Sequence, residues 1–256
     1  MSLPSITRWL NRTALVTGAS SGIGSSVCEA FVKHGIKVIG CARNEERIQA
    51  LASSFTEKNY PGVLIPYKCD VSNDEEVEKM FEWIKTNHTG VDICVNNAGF
   101  SFNKPLLEIS GKEMREMLDV NVVALTLCTS KSVESMKTRG INDGHIFNIN
   151  SMSGHRITGF LNFYTATKFA VTAITEGFRR ELVENSKIKI TSISPGLVET
   201  EFLYRTFNNE KQAKDVYATV DVLTPNDIAD ILLFVLSGPT NVQIHDVLLR
   251  PVGQKT

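Results

Sequence analysis

Residues 13–24 read Thr13-Ala14-Leu15-Val16-Thr17-Gly18-Ala19-Ser20-Ser21-Gly22-Ile23-Gly24. The first five form a short apolar run of strand character, and Ser25 to His34 reads as a helix ended by Gly35. Between them lies a turn of small residues with glycines at 18, 22 and 24. Its position carries the meaning. A glycine-rich turn that leaves a strand and opens a helix lets backbone N–H groups approach a pyrophosphate, and the helix N-terminus adds positive potential. Gly18, Gly22 and Gly24 supply the close approach, and Ser20 and Ser21 add hydroxyl donors. The competing reading is a tight turn with no ligand.

The strand–helix unit recurs outward from this loop. Further strand-like runs are Lys37 to Cys41, Val63 to Tyr67, Asp92 to Val95, His145 to Ile149 and Ile188 to Ile193, with a weaker one at Asp246 to Leu249. Helices are expected over Glu45 to Lys58, over about Gly111 to Arg139, over Phe163 to Asn185, and over Pro225 to Leu236 with proline at its first position. Ser72-Asn73-Asp74-Glu75 has capping-box spacing, and Val77, Met80, Phe81 and Ile84 behind it share one helical face. Asp74-Glu75-Glu76 then forms that helix's solvated first turn. The strands are apolar on both faces and separated by helices, the pattern of a parallel sheet covered on both sides. Right-handed crossovers make it doubly wound, so the expected class is α/β: a Rossmann-type doubly wound parallel sheet with helices on both faces. Without repeats, low-complexity segments or linkers, residues 1–256 read as a single domain, with a cofactor half over about 12–150 and a catalytic and substrate half over about 151–256.

Composition narrows the function classes. The 256 residues carry 27 Lys plus Arg against 28 Asp plus Glu, a net charge of −1, which argues against a dedicated nucleic-acid binder. The cysteines at 28, 41, 69, 94 and 128 lie in apolar stretches without CxxC spacing, as buried free thiols of a reducing compartment would. Neither they nor His34, His88, His145 and His245 have the spacing of a metal site, so no metal is expected. No run approaches the roughly 20 apolar residues of a membrane span. The longest is Ile231 to Leu236, and Met1 to Leu10 lacks the apolar core of a signal peptide. A soluble cytoplasmic protein is expected.

The second strand ends in Cys41-Ala42-Arg43-Asn44, with an arginine where NAD sites usually carry a carboxylate for the ribose 2′-hydroxyl. A guanidinium fork suits a 2′-phosphate, so NADP(H) is predicted over NAD(H). The alternative is that Arg43 only caps the edge of the following helix. Asp70 and Val71, after the third strand, are placed to frame the adenine.

Tyr164-Thr165-Ala166-Thr167-Lys168 sets a tyrosine and a lysine on one face of a helix. A free phenol titrates near ~10, and a neighbouring cation favours the phenolate. Such a tyrosine can serve as a general acid or base. Ser151 follows the strand ending at Ile149 and so sits at the C-terminal sheet edge, where a hydroxyl can hold a substrate oxygen. Asn121 falls on the apolar stripe Met114, Met117, Leu118, Leu125, Cys128 of the long helix and needs polar partners there. It is either functional or satisfied by neighbouring backbone. Asn96-Asn97-Ala98-Gly99 ends the fourth strand. Ser194-Pro195-Gly196-Leu197-Val198-Glu199-Thr200 ends the sixth in a turn whose free N–H groups could meet a carboxamide.

These motifs together resemble the short-chain dehydrogenase/reductase superfamily. TGASSGIG at 17–24, NNAG at 96–99, Asn121, Ser151, YTATK at 164–168 and SPGLVET at 194–200 occur in its order and cover about residues 12–200. RTALVTGAS, GVDICVNNAG, NINSMSGHR and ISPGLVET are similar to the branch of vertebrate dehydrogenase/reductase family member eleven and the insect farnesol dehydrogenases, where the likeness extends to Arg250-Pro251. The resemblance implies a catalytic set of Asn121, Ser151, Tyr164 and Lys168. In it Tyr164 exchanges the proton at the substrate oxygen and Ser151 orients that oxygen. Lys168 binds the nicotinamide ribose and depresses the Tyr164 pKa, while Asn121 holds a water that leads to Lys168. The 4-pro-S hydride of NADPH would pass to the carbonyl carbon. Gly18, Ser20, Ile23, Arg43, Asn44, Asp70, Val71, Asn97, Val198 and Thr200 match cofactor contacts, and an arginine follows the second strand in that branch too. Substrate would rest on Ser151 and Tyr164. The resemblance also implies a homodimer or homotetramer. One departure is the segment Arg156 to Phe163, shorter than in the vertebrate members; it borders the substrate.

His155 reads as a pocket-lining residue or as a surface or capping histidine. Glu201 to Leu223, with Phe202, Leu203, Tyr204 and Phe207, reads as a lid over a lipophilic substrate or as a packed helix pair at a subunit interface. The leading expectation is an NADP-dependent alcohol dehydrogenase or carbonyl reductase for a lipophilic alcohol or carbonyl compound of ketosteroid or isoprenoid type. The alternative, an NADPH-binding regulatory scaffold without catalysis, would be expected to have lost a catalytic residue, and none is missing.

Overall fold

Side chains alternate between two faces along every inner strand, and that alternation builds two cores. The computed structural model describes residues 6–157 and 161–255. The strands are β1 (Thr13–Thr17), β2 (Lys37–Ala42), β3 (Val63–Lys68), β4 (Ile93–Asn96), β5 (His145–Ile149), β6 (Lys189–Pro195) and β7 (Asp246–Leu249). Ala14, Val16, Val38, Ile93, Val95, Phe147 and Ile149 point to one face. There they pack against α1 (Gly22–Lys33), α2 (Glu45–Glu57) and α9 (Pro225–Ser237). Leu15, Ile39, Cys41, Cys94 and Ile146 point to the other, against α3 (Asp74–His88), α5 (Leu125–Thr138) and α6 (Asn162–Val183). Each fully buried aliphatic or aromatic side chain contributes roughly 1.5–3 kcal/mol. All five cysteines are buried and unpaired. Trp9, just before β1, is buried against α9 and donates from Nε1 to Leu236 O at 2.9 Å.

The seven strands run parallel in the order β3-β2-β1-β4-β5-β6-β7. The order reverses between β1 and β4, which opens a crevice at their C-terminal ends. Two asparagines interrupt the apolar strands beneath that crevice. Asn96 and Asn148 face each other across β4 and β5. Asn96 Nδ2 donates to Asn148 Oδ1 and to Thr129 Oγ1, each at 2.8 Å, and Asn148 Nδ2 donates to Thr175 Oγ1 at 2.8 Å. The network ties the strand ends to α5 and α6, and in a low dielectric its bonds are stronger than in water.

Two expectations are corrected. The long helix is not uniform: α4 (Gly111–Leu118) passes through a π-helical stretch, Asp119–Ala124, into α5. The wider turn rephases the apolar stripe, so Met117, Asn121, Ala124 and Leu125 are buried while Leu118 is 36% exposed. Met114 is only partly buried, at the edge of the cluster around Met117. The cap of α3 is Asn73, not Ser72. Its side chain accepts from the N–H groups of Glu75 and Glu76 at 3.1 and 3.3 Å, while the Ser72 hydroxyl donates to Asp70 Oδ1 at 2.7 Å. Asparagine is as good an N-cap as serine, and here it stands one residue nearer the helix.

Asn148→Ala removes the acceptor of Asn96 and the donor of Thr175 inside the core. It is expected to lower the unfolding free energy by about 2–4 kcal/mol. Urea denaturation at unchanged slope measures this, and a loss below about 0.5 kcal/mol would contradict the role given to the network.

Candidate active site

The ends of β1 to β6 open into one cleft of about 1370 Å³. Gly18, Ser20, Ser21, Gly22 and Ile23 line it after β1. Gly18 and Gly22 have φ of +65° and +56°, a region that disfavours side chains. Gly24 lies beneath the loop rather than on the cleft. A Cβ there would meet Gly18 O and come within 2.6 Å of Asn97 Nδ2, so its role is close packing of helix on loop. Thr17 Oγ1 accepts from the N–H groups of Asn97 and Ala98 at 3.0 Å each, and Asn97 Nδ2 donates to Thr17 O at 2.9 Å and Gly18 O at 3.2 Å. Asn97, Ala98 and Gly99 all line the cleft, but the Asn97 amide is spent on holding the glycine loop. Thr17 read as the last residue of a strand, and nothing local marked it as the splice between β1 and β4.

Arg43 is exposed on the cleft rim and forms no hydrogen bond or ion pair among the described residues. It does not cap α2. Asn44 does, accepting from Arg47 N at 3.1 Å, which commits the Asn44 oxygen. Asp70 and Val71 line the cleft, with Asp70 Oδ1 also holding Ser72 N at 3.0 Å. Sequence reasoning missed Arg47, whose Nη1 lies 3.0 Å from Glu201 Oε2. Both residues line the cleft, and Glu201 also pairs with Arg205. The partners are 154 residues apart and each reads as ordinary helix surface.

At the other end Ser151, Tyr164 and Lys168 come together. Ser151 caps the one-turn 3-10 helix Met152–Gly154, its Oγ accepting from Ser153 N at 3.0 Å, and its hydroxyl interacts with the Tyr164 phenol. Lys168 lies one turn along α6, 5% exposed, with Nζ 5.5 Å from the Tyr164 ring centre and donating to Ile149 O at 2.8 Å. Burial pushes the Tyr164 phenol well above its usual range, against a smaller downward pull from the Ser151 bond. Burial also lowers the Lys168 ammonium from 10.5 to about 8. Burial thus raises the phenol, where the resemblance implies a lowering by Lys168.

Asn121 is buried in the π-helical stretch and does not line the cleft. Its Oδ1 accepts from Phe100 N at 3.1 Å, and its Nδ2 donates to Phe100 O at 2.9 Å and Thr167 Oγ1 at 3.1 Å. The side chain is therefore satisfied chiefly by backbone, and it pins the segment after Gly99 to α6 beside Lys168.

After β6, Pro195, Gly196, Val198 and Thr200 line the cleft. The N–H groups of this turn are mostly not free, contrary to expectation. Gly196 N donates to Leu249 O at 2.7 Å, Leu197 N to Gln254 Oε1 at 2.9 Å and Glu199 N to Leu223 O at 2.9 Å. The Val198 N–H alone among residues 196–200 has no partner among the described residues. Gln254, close to the end of the chain, carried no sequence signal.

Glu201 to Leu223 forms a packed helix pair, α7 (Glu201–Phe207) and α8 (Glu210–Tyr217), around Leu203, Ala213 and Tyr217. Tyr217 Oη donates to Thr200 O at 2.9 Å and accepts from Thr200 N at 3.2 Å. The pair also walls the cleft, with the Phe202 ring tilted against Tyr164 at 5.4 Å between centroids and near Phe100, Phe102 and Leu161. His155 does not line the cleft; its ring turns toward β6 and β7. Of the segment Arg156 to Phe163, residues 158–160 lie outside the described residues. Among the described residues no cluster of His, Cys, Asp or Glu could hold a metal ion, and no helix is long and apolar enough to cross a membrane.

Comparison with known proteins places this geometry. The sequence pattern of the short chain dehydrogenases matches residues 12–226. Dehydrogenase/reductase SDR family member 11 of Gallus gallus is 51% identical over 96% of this chain and 98% of its own. The human protein of the same name is 48% identical over the full length of both. Farnesol dehydrogenase of Aedes aegypti is 44% identical over 97% of this chain and 99% of its own. Among solved structures, serine dehydrogenase complexed with NADP+ superimposes with a TM-score of 0.87 at 31% identity, covering 95% of this chain and 96% of its own. Alcohol dehydrogenase of Thermococcus sibiricus with 5-hydroxy-NADP does so with 0.81 at 26% identity, covering 96% and 98%.

The buried ammonium has a thermodynamic signature. Lys168 binds its proton less tightly in the folded chain than in the unfolded one. Unfolding therefore takes up protons between about pH 8 and 10.5, and stability rises with pH across that window. Lys168→Met is expected to be more stable than the parent at pH 7 by up to about 3 kcal/mol, less the lost bond to Ile149 O. The advantage shrinks as pH rises through the window. Denaturant unfolding at both ends of the window checks this, and an advantage that does not change with pH would refute it.

Proposed function

The chain belongs to the short-chain dehydrogenase family, a family of oxidoreductases, and from that premise we propose that it is an NADP-dependent alcohol dehydrogenase or carbonyl reductase for lipophilic substrates. The observation that carries the reading is the meeting of Ser151, Tyr164 and Lys168 at the cleft over the sheet's switch point. NADPH, when bound, supplies the hydride that reduces a carbonyl carbon. The chain's own residues manage the oxygen. Ser151 donates a hydrogen bond to it and fixes its direction. Tyr164 gives it the phenolic proton on reduction, or takes the hydroxyl proton on oxidation. Lys168 holds ribose hydroxyls and offsets the negative charge that develops on the phenol. Asn121 keeps the floor of the site in register from behind.

The residues fit the dinucleotide. Gly18 and Gly22 leave backbone exposed for a pyrophosphate at the start of α1, with Ser20, Ser21 and Ile23 beside it. Arg43 is an uncommitted guanidinium at the end of β2, where a 2′-phosphate would lie. Asp70 and Val71 would flank the adenine, and Asn97, Ala98 and Gly99 the ribose. The unpartnered Val198 N–H suits the carboxamide, with Pro195, Gly196 and Thr200 around it. The similar serine dehydrogenase and Thermococcus sibiricus alcohol dehydrogenase, complexed with NADP+ and 5-hydroxy-NADP, support this reading.

Phe100, Phe102, Leu161 and Phe202 around Tyr164 favour an apolar substrate, of isoprenoid-alcohol or ketosteroid type. Farnesol dehydrogenase among the relatives supports the first. We also assign a homodimer or homotetramer, supported by the exposed apolar Leu118, Val123 and Phe169 on the long helices, and a cytoplasmic setting, supported by five buried free thiols.

A panel of farnesol, retinoids and ketosteroids with NADP+ or NADPH tests the activity. Tyr164→Phe is expected to lower kcat by more than about 100-fold while NADPH still binds, and full activity in that variant would sink the mechanism. Arg43→Ala is expected to weaken NADP binding by about 10-fold or more and leave NAD binding unchanged. Equal losses for both would remove Arg43 from the 2′-phosphate site.

A further inference from the structure

Behind the catalytic serine lies a polar cluster that the reaction does not use. His155 Nε2 is 3.0 Å from Asp246 Oδ2 and 3.0 Å from Ser194 Oγ. Ser194 Oγ in turn donates to Asp246 Oδ1 at 2.7 Å, and Ser192 Oγ lies 3.1 Å from it. A serine, a histidine and an aspartate in contact suggest a hydrolytic triad, but the arrangement excludes one. A triad needs the two ring nitrogens to face different partners. Here a single nitrogen faces both, and Ser194 is fully buried on β6. The hydroxyl proton is already directed at Asp246 Oδ1, so an N–H at Nε2 has the other carboxylate oxygen as its acceptor. Burial raises the Asp246 carboxyl, and the bonds from Ser194 and His155 counter that rise. The cluster is a brace.

What it braces is the turn that carries Ser151. The 3-10 helix Met152–Gly154 has one turn, too short to hold itself by cooperative bonding. Three bonds shape it: Ser153 N to Ser151 Oγ at 3.0 Å, Gly154 N to Ser151 O at 2.8 Å and His155 N to Met152 O at 3.1 Å. On one side α6 clamps it. Thr172 Oγ1 donates to Gly154 O at 3.0 Å, and a Cβ on Gly154 would come within 2.8 Å of Lys168 O. On the other side its C-terminal end is tied to β6 and β7 through the His155 ring. The same Ser151 Oγ that accepts from Ser153 N meets the Tyr164 phenol, so the turn's orientation sets the hydroxyl's aim.

We propose that His155 is a positioning residue: anchored by Asp246 and Ser194, it fixes the turn Met152–Gly154 and thereby aims the Ser151 hydroxyl at the substrate oxygen beside Tyr164. The inference rests on the role given to Ser151 above. A small misplacement of a reacting group costs up to about 100-fold in rate, so the brace matters to kcat more than to cofactor binding.

The test has an arm independent of activity. Amide hydrogen exchange in the peptide covering residues 150–157 is expected to speed up in His155→Ala and to stay near the parent rate in His155→Gln, whose amide can donate to Asp246. Unchanged exchange in His155→Ala overturns the brace whatever the enzyme does. In the activity arm, with farnesol and NADP+ or whichever panel compound the parent turns over, His155→Ala is expected to lower kcat by about 10- to 100-fold. KM for NADP+ should stay within about twofold, and His155→Gln should recover most of the loss. In a Ser151→Ala background the same substitution is expected to cost nothing more, because the residue acts through that hydroxyl. An equal loss in both backgrounds overturns the proposal. Failure of the underlying reading shows separately, as turnover that survives Tyr164→Phe or a parent with no turnover, and the exchange arm then decides the brace alone.

Discussion

The splice between β1 and β4 is the constraint on which the site depends. At the switch point the two strands end side by side, and their connections leave in opposite directions across the sheet. Backbone groups there have no further strand to pair with. Thr17 Oγ1 takes the N–H groups of Asn97 and Ala98, and the Asn97 amide takes Thr17 O and Gly18 O. Four bonds from two side chains close the gap and hold the glycine loop at the height where α1 begins. Gly24 allows the helix to seat against that loop without a Cβ between them. The positive φ of Gly18 and Gly22 then leaves backbone facing the cleft instead of side chains.

Below the other half of the cleft the problem is charge in a dry place. Tyr164 and Lys168 are both buried, and burial acts on each against ionisation. A helix selected for stability alone would carry an apolar residue at 168. The lysine instead keeps one bond, to Ile149 O, and a lowered affinity for its proton. The layer beneath makes this tolerable. Asn96, Asn148, Thr129 and Thr175 satisfy one another, so no orphaned polar group of that network adds to the cost. Asn121, in the π-helical stretch, belongs to the same logic. Its side chain meets the backbone of Phe100 in both directions, locking the segment after β4 to α6 at the level of Lys168.

Much of this was legible in the chain. Short runs apolar on both faces, separated by helical stretches, dictate a covered parallel sheet, so Gly18, Arg43, Asn97, Ser151 and Pro195 had to meet at its C-terminal edge. The fixed spacing of Tyr164 and Lys168 on a helix put them on one face. What stayed illegible depends on contacts that leave no local mark. A π-helical turn needs no special composition, so the stripe drawn through Leu118 assumed a constant 3.6-residue period where the helix widens. Glu201 finds Arg47 across 154 residues, and Gln254 finds Leu197 N across 57. The balance at Tyr164 between burial and its neighbours is a property of the packed interior, which no residue spacing reports.

The two ends of the cleft are consequently built by different means. The dinucleotide end is made of backbone turns set directly by strand ends, each tied into the ladder or into Thr17. The end beside Tyr164 is covered by α7 and α8, which pack chiefly on one another through Leu203, Ala213 and Tyr217, a cluster separate from the two main cores. Its attachments to the rest are few: the apolar contact of Phe202 with Tyr164 and Leu161, and the polar ties of Tyr217 to Thr200, Leu223 to Leu197 and Glu199, Gln254 to Leu197, and Glu201 to Arg47. A segment with a small core of its own and a handful of polar ties opens at lower free energy than the sheet it covers. The exposed Arg47–Glu201 pair adds little to stability, but it joins α2, on the rim where the adenosine half would lie, to the first residue of α7, over the reacting end. Arg47 and Glu201 thus tie the cover to the far rim of the cleft that both residues line.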